Sequence, residues 1–150
     1  MKKIFTDYVK DNVTLNNVLQ DSKCYSFSLD DSGSVKCEEK TIVFKYRGQN
    51  GWGKIWQKIY TTSDNGMSLG ISVIEPGGEM KNIPVATEFC DFLLYGKGTV
   101  EIQGLGRFEM EEGDFLNFKK DIVRSSDNLE EDIVVGIWFI KTAPTYKFED

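Results

Sequence analysis

One acidic side chain, Asp91, stands inside an otherwise apolar stretch at residues 89–94. Burying a carboxylate among apolar groups costs free energy unless a cation or hydrogen-bond donors face it, and burial raises its pKa. Asp91 is therefore either half of a buried or rim salt bridge, or a functional acid/base group with a raised pKa. The tyrosines Tyr60, Tyr95 and Tyr146 could also donate protons, although tyrosines on strands mostly serve packing.

The chain contains no histidine, and this absence removes several kinds of chemistry. Histidine is the usual general base near neutral pH, the partner of Ser and Cys nucleophiles, and the commonest ligand of transition metals. The cysteines Cys24, Cys37 and Cys90 form no CxxC pair, which argues against a thiolate metal site, and their odd number argues against a disulfide framework. Cys24 and Cys37 flank a turn signal at residues 30–33 and could lie near each other, but we expect free thiols.

The acidic balance of the chain, a formal net charge of -6 over 150 residues, disfavours nucleic acid and anionic membranes as partners. Its lysines are scattered among Asp and Glu and form no basic stripe. The N-terminal residues lack the apolar stretch of a signal peptide, and no apolar run approaches the roughly 20 residues that a transmembrane helix needs. We therefore expect a cytoplasmic protein that binds neither nucleic acid nor membrane.

Short strands separated by turn signals fill most of the chain. Apolar residues at helical spacing predict one amphipathic helix, or a broken pair, over residues 3–21. Beyond it, alternating segments predict strands at residues 25–29, 41–46, 54–62, 67–75, 88–95, 99–103, 106–110, 114–118 and 132–141. The pattern is typical of an all-β sandwich or barrel, and periodicity alone does not decide between them.

Two segments of the chain carry residues in a recognisable pattern. Residues 75–78 contain a Pro-Gly-Gly turn, and Gly96 follows the next predicted strand. Residues 111–116 contain a Gly-Asp pair before a hydrophobic strand entry, and Asn128 lies further along. These segments resemble the two sequence motifs of the cupin superfamily, with Gly96 closing the first motif and Asn128 at the asparagine position of the second. The resemblance covers residues 67–141, about half the chain. It implies an all-β cupin-type double-stranded β-helix, a jelly-roll barrel.

The resemblance also implies that the metal ligands have been replaced. Cupin metal sites use three histidines and one carboxylate, and at these positions this chain has Ile83, Val85, Phe89 and Arg124. Three apolar groups and a guanidinium offer no lone pair to a metal. We therefore expect a metal-free barrel with no cofactor and without metal-dependent oxidase, dioxygenase or isomerase activity.

Strand alternation then predicts what faces the cavity, because side chains two apart share a face. Thr87, Asp91 and Leu93 should point inward with Phe89, and Ile122 and Ser126 should share the face of Arg124. The predicted ligand-binding residues are Asp91, Arg124, Phe89, Thr87, Ile83 and Val85. In this geometry Arg124 is either the salt-bridge partner of Asp91 or the group that binds a ligand carboxylate or phosphate.

The predicted organisation is an N-terminal arm of helix plus hairpin over residues 1–40, and a cupin barrel over residues 41–150. Residues 88–96 resemble the ethanolamine-utilisation cupins, which likewise lack the metal histidines, and residues 76–82 resemble the cupin of centromere protein C, a metal-free dimerisation module. Three functions stay open. The barrel binds a small molecule in a regulatory or accessory role; or it is a metal-independent isomerase, lyase or cyclase using carboxylate and tyrosine acid–base chemistry; or it is a structural dimerisation module. We expect a homodimer, because cupins commonly dimerise through edge strands and an N-terminal arm.

Overall fold

A computed structural model describes residues 14–48, 52–62 and 67–141. This part of the chain contains one helical turn, α1 (Leu15–Val18), and otherwise strands. The strands are β1 (Ser22–Leu29), β2 (Val35–Ile42), β3 (Lys45–Tyr46), β4 (Trp52–Thr62), β5 (Met67–Pro84), β6 (Phe89–Tyr95), β7 (Lys97–Ile102), β8 (Gly106–Glu111), β9 (Phe115–Phe118), β10 (Val123–Asp127) and β11 (Val134–Ile140). No helix in the described ranges is long and apolar enough to cross a membrane.

The strands form two antiparallel sheets. Within the described residues, β1 and β2 pair only with each other, whereas the other strands join one 9-stranded sheet. Its order is β8-β7-β10-β5-β11-β6-β9, with β4 pairing to β5 and β3 pairing to β4. Strands that are distant in sequence are therefore neighbours, as in a jelly roll. The predicted all-β class is confirmed, although the predicted strand at residues 41–46 is interrupted between Ile42 and Lys45.

The long strand β5 changes partners near its middle. Its residues up to Ile74 pair with β11, and its residues from Glu79 onward pair with β10. Between them Gly77 has a φ of 76°. A side chain at Gly78 would bring its Cβ within 2.5 Å of the Ile74 side chain and 2.8 Å of the Glu75 carbonyl oxygen. The Pro-Gly-Gly segment is thus a tight bend inside one continuous strand, and glycine is required there because both positions exclude ordinary side chains.

The large sheet buries apolar side chains on both faces. The inner face carries a cluster of Val85, Phe89, Val100, Phe118 and Trp138. The outer face carries a second cluster around Val73, Ile133 and Val135, and α1 packs on it through Leu15 and Val18. The barrel interior therefore stays separate from the surface that the N-terminal segment covers.

The N-terminal segment differs from its prediction. Within the predicted helix at 3–21, residues 3–13 lie outside the described residues, and α1 ends at Val18. The helix predicted to continue to residue 21 is wrong beyond Val18, because the asparagines of α1 favour helix caps over helix interiors. The boundary predicted after residue 40 falls within β2. The division into arm and barrel stays a prediction.

A buried lysine ties this segment to the barrel. Lys58, on β4, is 5% exposed, and its Nζ donates to the Gln20 carbonyl oxygen at 2.7 Å and to the Ser22 Oγ at 2.6 Å. The same ammonium lies 4.6 Å from the centroid of the Phe44 ring. Because a buried ammonium needs partners, these contacts hold the start of β1 against β4.

The register of the β1–β2 hairpin sets the distance between Cys24 and Cys37. Cys24 lies opposite Lys40 and Cys37 lies opposite Phe27. The two cysteines are thus three ladder positions apart, about 10 Å along the strands, which is too far for a disulfide. The expectation that they lie near each other is therefore wrong, and Cys24, Cys37 and Cys90 are all free thiols.

Candidate functional site

A cavity of about 110 Å³ lies inside the large sheet, between β4, β5, β10 and β11. Aliphatic side chains such as Ile55, Ile74 and Ile140 form much of its wall. The polar lining groups are few, and they are Gln57, Ser72, Thr87, Asp91, Arg124 and Ser126. A largely apolar cavity with a few converging polar groups is typical of a small-molecule site.

All of the predicted ligand-binding residues line this one cavity, and they are Asp91, Arg124, Phe89, Thr87, Ile83 and Val85. Their role in binding stays a prediction. Ser126 lines the same cavity, and Leu93 lines a smaller neighbouring one. Ile122 is 37% exposed and lines neither cavity, so its predicted inward orientation is wrong. The reason is local, because Asp121 has a φ of 71° and β10 begins only at Val123.

The Asp91 side chain points into the interior because side chains alternate along β6. Gly136 of β11, diagonally across from Asp91, leaves room for its carboxyl. In the strand ladder Asp91 lies opposite Trp138 of β11 and Leu116 of β9. A Cβ at Gly136 would lie 3.0 Å from the Asp91 Oδ1, so glycine leaves the space that the carboxyl occupies. The side chain is partly exposed because it borders the cavity.

Burial raises the pKa of the Asp91 carboxyl above its ordinary value. The charge of Arg124 and the backbone N–H of Phe92 act in the opposite direction and offset only part of this rise. The protonated form is therefore favoured at a higher pH than for an exposed aspartate. Such a carboxyl can donate a hydrogen bond as well as accept one.

Arg124 is held on the inner face by two aromatic rings. Its Cζ lies 4.4 Å from the centroid of the Phe89 ring and 5.1 Å from that of the Phe118 ring. The two rings stack on each other with centroids 4.9 Å apart and an interplanar angle of 11°. Cation–π contact of this kind fixes the guanidinium beside the cavity. Both predicted roles of Arg124, toward Asp91 and toward a ligand, stay predictions.

Two polar residues of the cavity wall, Ser72 and Gln57, were not predicted from the sequence. Ser72 Oγ accepts hydrogen bonds from the Gln57 Nε2 at 3.1 Å and from the Trp138 Nε1 at 2.9 Å. Gln57 is 5% exposed, and its Oε1 has no hydrogen-bond partner within the described part of the chain. The signal was present, because Gln57 interrupts the apolar alternation from Ile55 to Ile59 on β4.

Asp91 lies between this cavity and a neighbouring one of about 70 Å³. The two cavities share Ser72, Ile74, Asp91 and Ser126. The smaller cavity extends toward β7 and β9 and is also bordered by Asp114 and Asp127. Asp91 and Ser72 are thus accessible from both spaces.

Of the three tyrosines predicted as proton donors, Tyr60 and Tyr95 do not line the cavities, and Tyr146 lies outside the described residues. Tyr95 lies on the outer face, where its hydroxyl donates to the Asp132 Oδ2 at 2.5 Å. This bond, together with burial and the charge of Asp132, raises the pKa of Tyr95 to about 12. An acid–base reaction in the larger cavity would therefore depend on the Asp91 carboxyl rather than on Tyr60 or Tyr95.

The residues at the four expected metal-ligand positions do not fit a metal ion. They are Ile83, Val85, Phe89 and Arg124, which have no lone pair to offer. Within residues 14–48, 52–62 and 67–141, no three His, Cys, Asp or Glu side chains come together in a group that could hold one.

No family model matches the chain, and no curated protein matches it. Solved structures do match. The cupin domain of Cnp3 from Schizosaccharomyces pombe superposes with a TM-score of 0.59 at 15% identity, over 81% of this chain and 83% of that one. A cupin-like protein from Thermotoga maritima gives 0.56 at 19% identity, over 63% and 74%. The polyketide cyclase RemF from Streptomyces resistomycificus gives 0.61 at 10% identity, over 66% and 72%.

The chain has the cupin fold. The predicted cupin-type jelly-roll barrel is thereby confirmed. At these identities the likeness concerns the fold and carries no activity from those proteins to this one. None of the comparisons shows the further similarity to the ethanolamine-utilisation cupins, which stays a prediction.

Asn128, which stands at the asparagine position of the second motif, stabilises the fold. Its side chain is fully buried, and its Nδ2 donates to the carbonyl oxygens of Ile74 at 3.0 Å and Asp132 at 2.8 Å. Its Oδ1 accepts from the backbone N–H of Glu130 at 3.0 Å. Asn128 therefore joins the bend of β5 to the loop before β11 and does not line the cavity.

Proposed function

We propose that this chain is a metal-free cupin that binds a small molecule in the barrel cavity, in a regulatory or accessory role. One observation carries the proposal, namely that Asp91, Arg124 and Ser72 converge on an otherwise apolar cavity. The volume of about 110 Å³ has room for a few non-hydrogen atoms of a ligand, since an apolar cavity of about 150 Å³ takes up benzene. The substitutions at the metal-ligand positions support binding without a metal.

The three tryptophans provide a direct test. Trp52 and Trp138 line the cavity, whereas the Trp56 indole N–H donates to Glu75 Oε2 at 3.0 Å outside it. In ¹H–¹⁵N spectra of the full chain, a ligand from a library of small acids, amides and alcohols should shift the Trp138 indole signal and leave that of Trp56 in place. If no compound shifts the Trp138 signal, the proposal is wrong.

A cavity-filling variant makes the test specific. Ser126→Met adds apolar volume from β10 into the cavity, so it should abolish the shift of the Trp138 signal. Ser28→Met places the same side chain on the exposed β1 strand and should leave the shift unchanged. Binding that survives Ser126→Met would place the ligand elsewhere on the chain.

A second candidate function, a dimerisation module, is favoured by the β1–β2 hairpin. Tyr25, Phe27, Leu29 and Val35 share one face of it and are 51%, 71%, 70% and 72% exposed. The opposite face is polar, with Ser26 and Ser28 on β1. An isolated two-stranded hairpin is only marginally stable, and an exposed apolar face marks an interaction site. We propose that a second copy of this chain covers this face and forms a homodimer.

Sedimentation velocity tests the dimer. Phe27→Ser removes the centre of the exposed apolar face, so the variant should sediment as a monomer where the unchanged chain sediments as a dimer. Ser26→Thr, on the polar face of the same strand, should leave the dimer intact. An unchanged chain that sediments as a monomer at every attainable concentration would rule the homodimer out.

A further inference from the structure

We infer that the cavity binds a short aliphatic carboxylic acid as a monoanion, with the ligand carboxylate on the guanidinium of Arg124. This inference rests on the proposed function and names the chemical class of its ligand. Three features support it, namely the charge of the cavity, its shape and the protonation of Asp91.

The charge of the cavity selects an anion. Arg124 is the only cation among the described side chains that line it. Its planar guanidinium carries five N–H donors and keeps its charge at any ordinary pH. Because the Phe89 ring holds the group in place at 4.4 Å, little conformational freedom is lost when an anion binds. A carboxylate matches the fork of a guanidinium through two parallel hydrogen bonds.

The shape of the cavity selects a short aliphatic body. Beside Arg124 the wall consists of aliphatic groups, among them Ile55, Ile74 and Ile140, and a volume of about 110 Å³ has room for about five non-hydrogen atoms. Sugar phosphates and nucleotides are too large. Inorganic phosphate is small enough, but its second negative charge would lie near Asp91 with one guanidinium to balance it.

The groups that face Asp91 influence the protonation of its carboxyl. Arg124 faces it from β10 and Ser72 faces it from β5, whereas β11 and β9 present Gly136, Trp138 and Leu116. The acidic groups of the neighbouring cavity are Asp114, whose Oδ2 accepts the Glu111 N–H at 2.8 Å, and Asp127, which binds Arg107 at 2.9 Å.

A ligand carboxylate brings a further negative charge toward Asp91. A like charge favours the protonated carboxyl, in the same direction as the burial that already raises the pKa of Asp91. Protonated Asp91 then donates its O–H to the ligand. Binding therefore favours protonated Asp91, and affinity falls as the pH rises.

Calorimetric titration of the full chain tests the ligand class. Sodium acetate and sodium propionate should bind, whereas propionamide, which has the same body as propionate without the charge, should bind at least about tenfold more weakly because a charge-assisted hydrogen bond is lost. Inorganic phosphate should give no heat of binding. Across a pH series the affinity for propionate should fall as the pH rises, and this fall should disappear in Asp91→Asn.

Matched variants assign the anion to Arg124. Arg124→Met keeps an unbranched apolar stem without the guanidinium and should weaken propionate binding at least about tenfold. Lys119→Met removes the same charge from an exposed pair with Glu88, outside the cavity, and should leave the affinity unchanged. If Arg124→Met does not fold, the comparison of propionate with propionamide on the unchanged chain still decides the ligand class.

The outcomes separate this inference from the proposed function. If propionamide and propionate bind equally and both shift the Trp138 indole signal, the carboxylate inference fails while the cavity remains a binding site. If neither these probes nor any other small molecule shifts that signal, the proposed function fails as well. An affinity for propionate that does not fall as the pH rises would overturn the part assigned to Asp91.

Discussion

Replacing Asn128 by alanine should strongly destabilise the barrel. The side chain is 0% exposed and makes three hydrogen bonds, to Ile74, Asp132 and Glu130. Each such bond contributes about 1 kcal/mol net, and a buried polar group that loses its partner costs about 1–3 kcal/mol. Asn128→Ala should therefore lower the free energy of unfolding by about 3–5 kcal/mol, a loss at the upper end for single substitutions.

Urea denaturation followed by tryptophan fluorescence measures this loss. Asn117→Ala is the matched control, because Asn117 is exposed on β9 and its substitution should change the free energy of unfolding by about 0.5 kcal/mol or less. The reasoning would be refuted if Asn128→Ala lost less than about 1 kcal/mol, since the loop before β11 would then hold the bend of β5 without this side chain.

Three further substitutions test the interior and the arm. Folding raises the pKa of Asp91, so the free energy of unfolding should fall as the pH rises through the folded-state pKa, by up to about 1.4 kcal/mol per pH unit. Asp91→Asn should flatten that profile, and identical slopes would contradict the raised pKa. In Gly70→Ala the new methyl group would overlap the rigid Trp138 ring, so we expect a loss of about 1–3 kcal/mol in denaturation. Gly53→Ala, which meets only Glu79 at 3.9 Å, should cost less, and equal losses would contradict the overlap. Lys58→Met removes the bonds to the start of β1 and should speed proteolytic cleavage before β2, and an unchanged cleavage rate would show that other contacts hold the arm.

Strand alternation predicted the inner face of β6 correctly, because the period of two holds wherever a strand is regular. It placed Phe89 and Asp91 together in the cavity. The same rule failed for Ile122, because the chain turns at Asp121 with a positive φ before β10 begins. Alternation describes a strand only once the strand has started, and the start is set by pairing with β5 and β7.

The role of Gln57 in the cavity could not be predicted from local sequence patterns. Its inward direction follows from Ile55 and Ile59, but its role in the cavity depends on the pairing that places it opposite Ser72. That pairing joins strands across a turn, and the hydrogen bond from Trp138 to Ser72 comes from a strand 66 residues away. The predicted helix ended at Val18 and not at residue 21 for the opposite reason, because its apolar spacing was present while the local preference of the asparagines opposed it.

The partner change of β5 has a consequence for the folding of the chain. One strand pairs Ile74 with Val134 and Glu79 with Asp127, so a single segment joins both ends of the large sheet to residues far along the sequence. Such non-local pairing favours slow folding, and it leaves neither half of the sheet able to fold alone. We expect one cooperative transition for the barrel, with hydrogen exchange slowest along β5. Because Ile74 and Met80 of this strand line the cavity, a bound ligand would stabilise the entire barrel against unfolding.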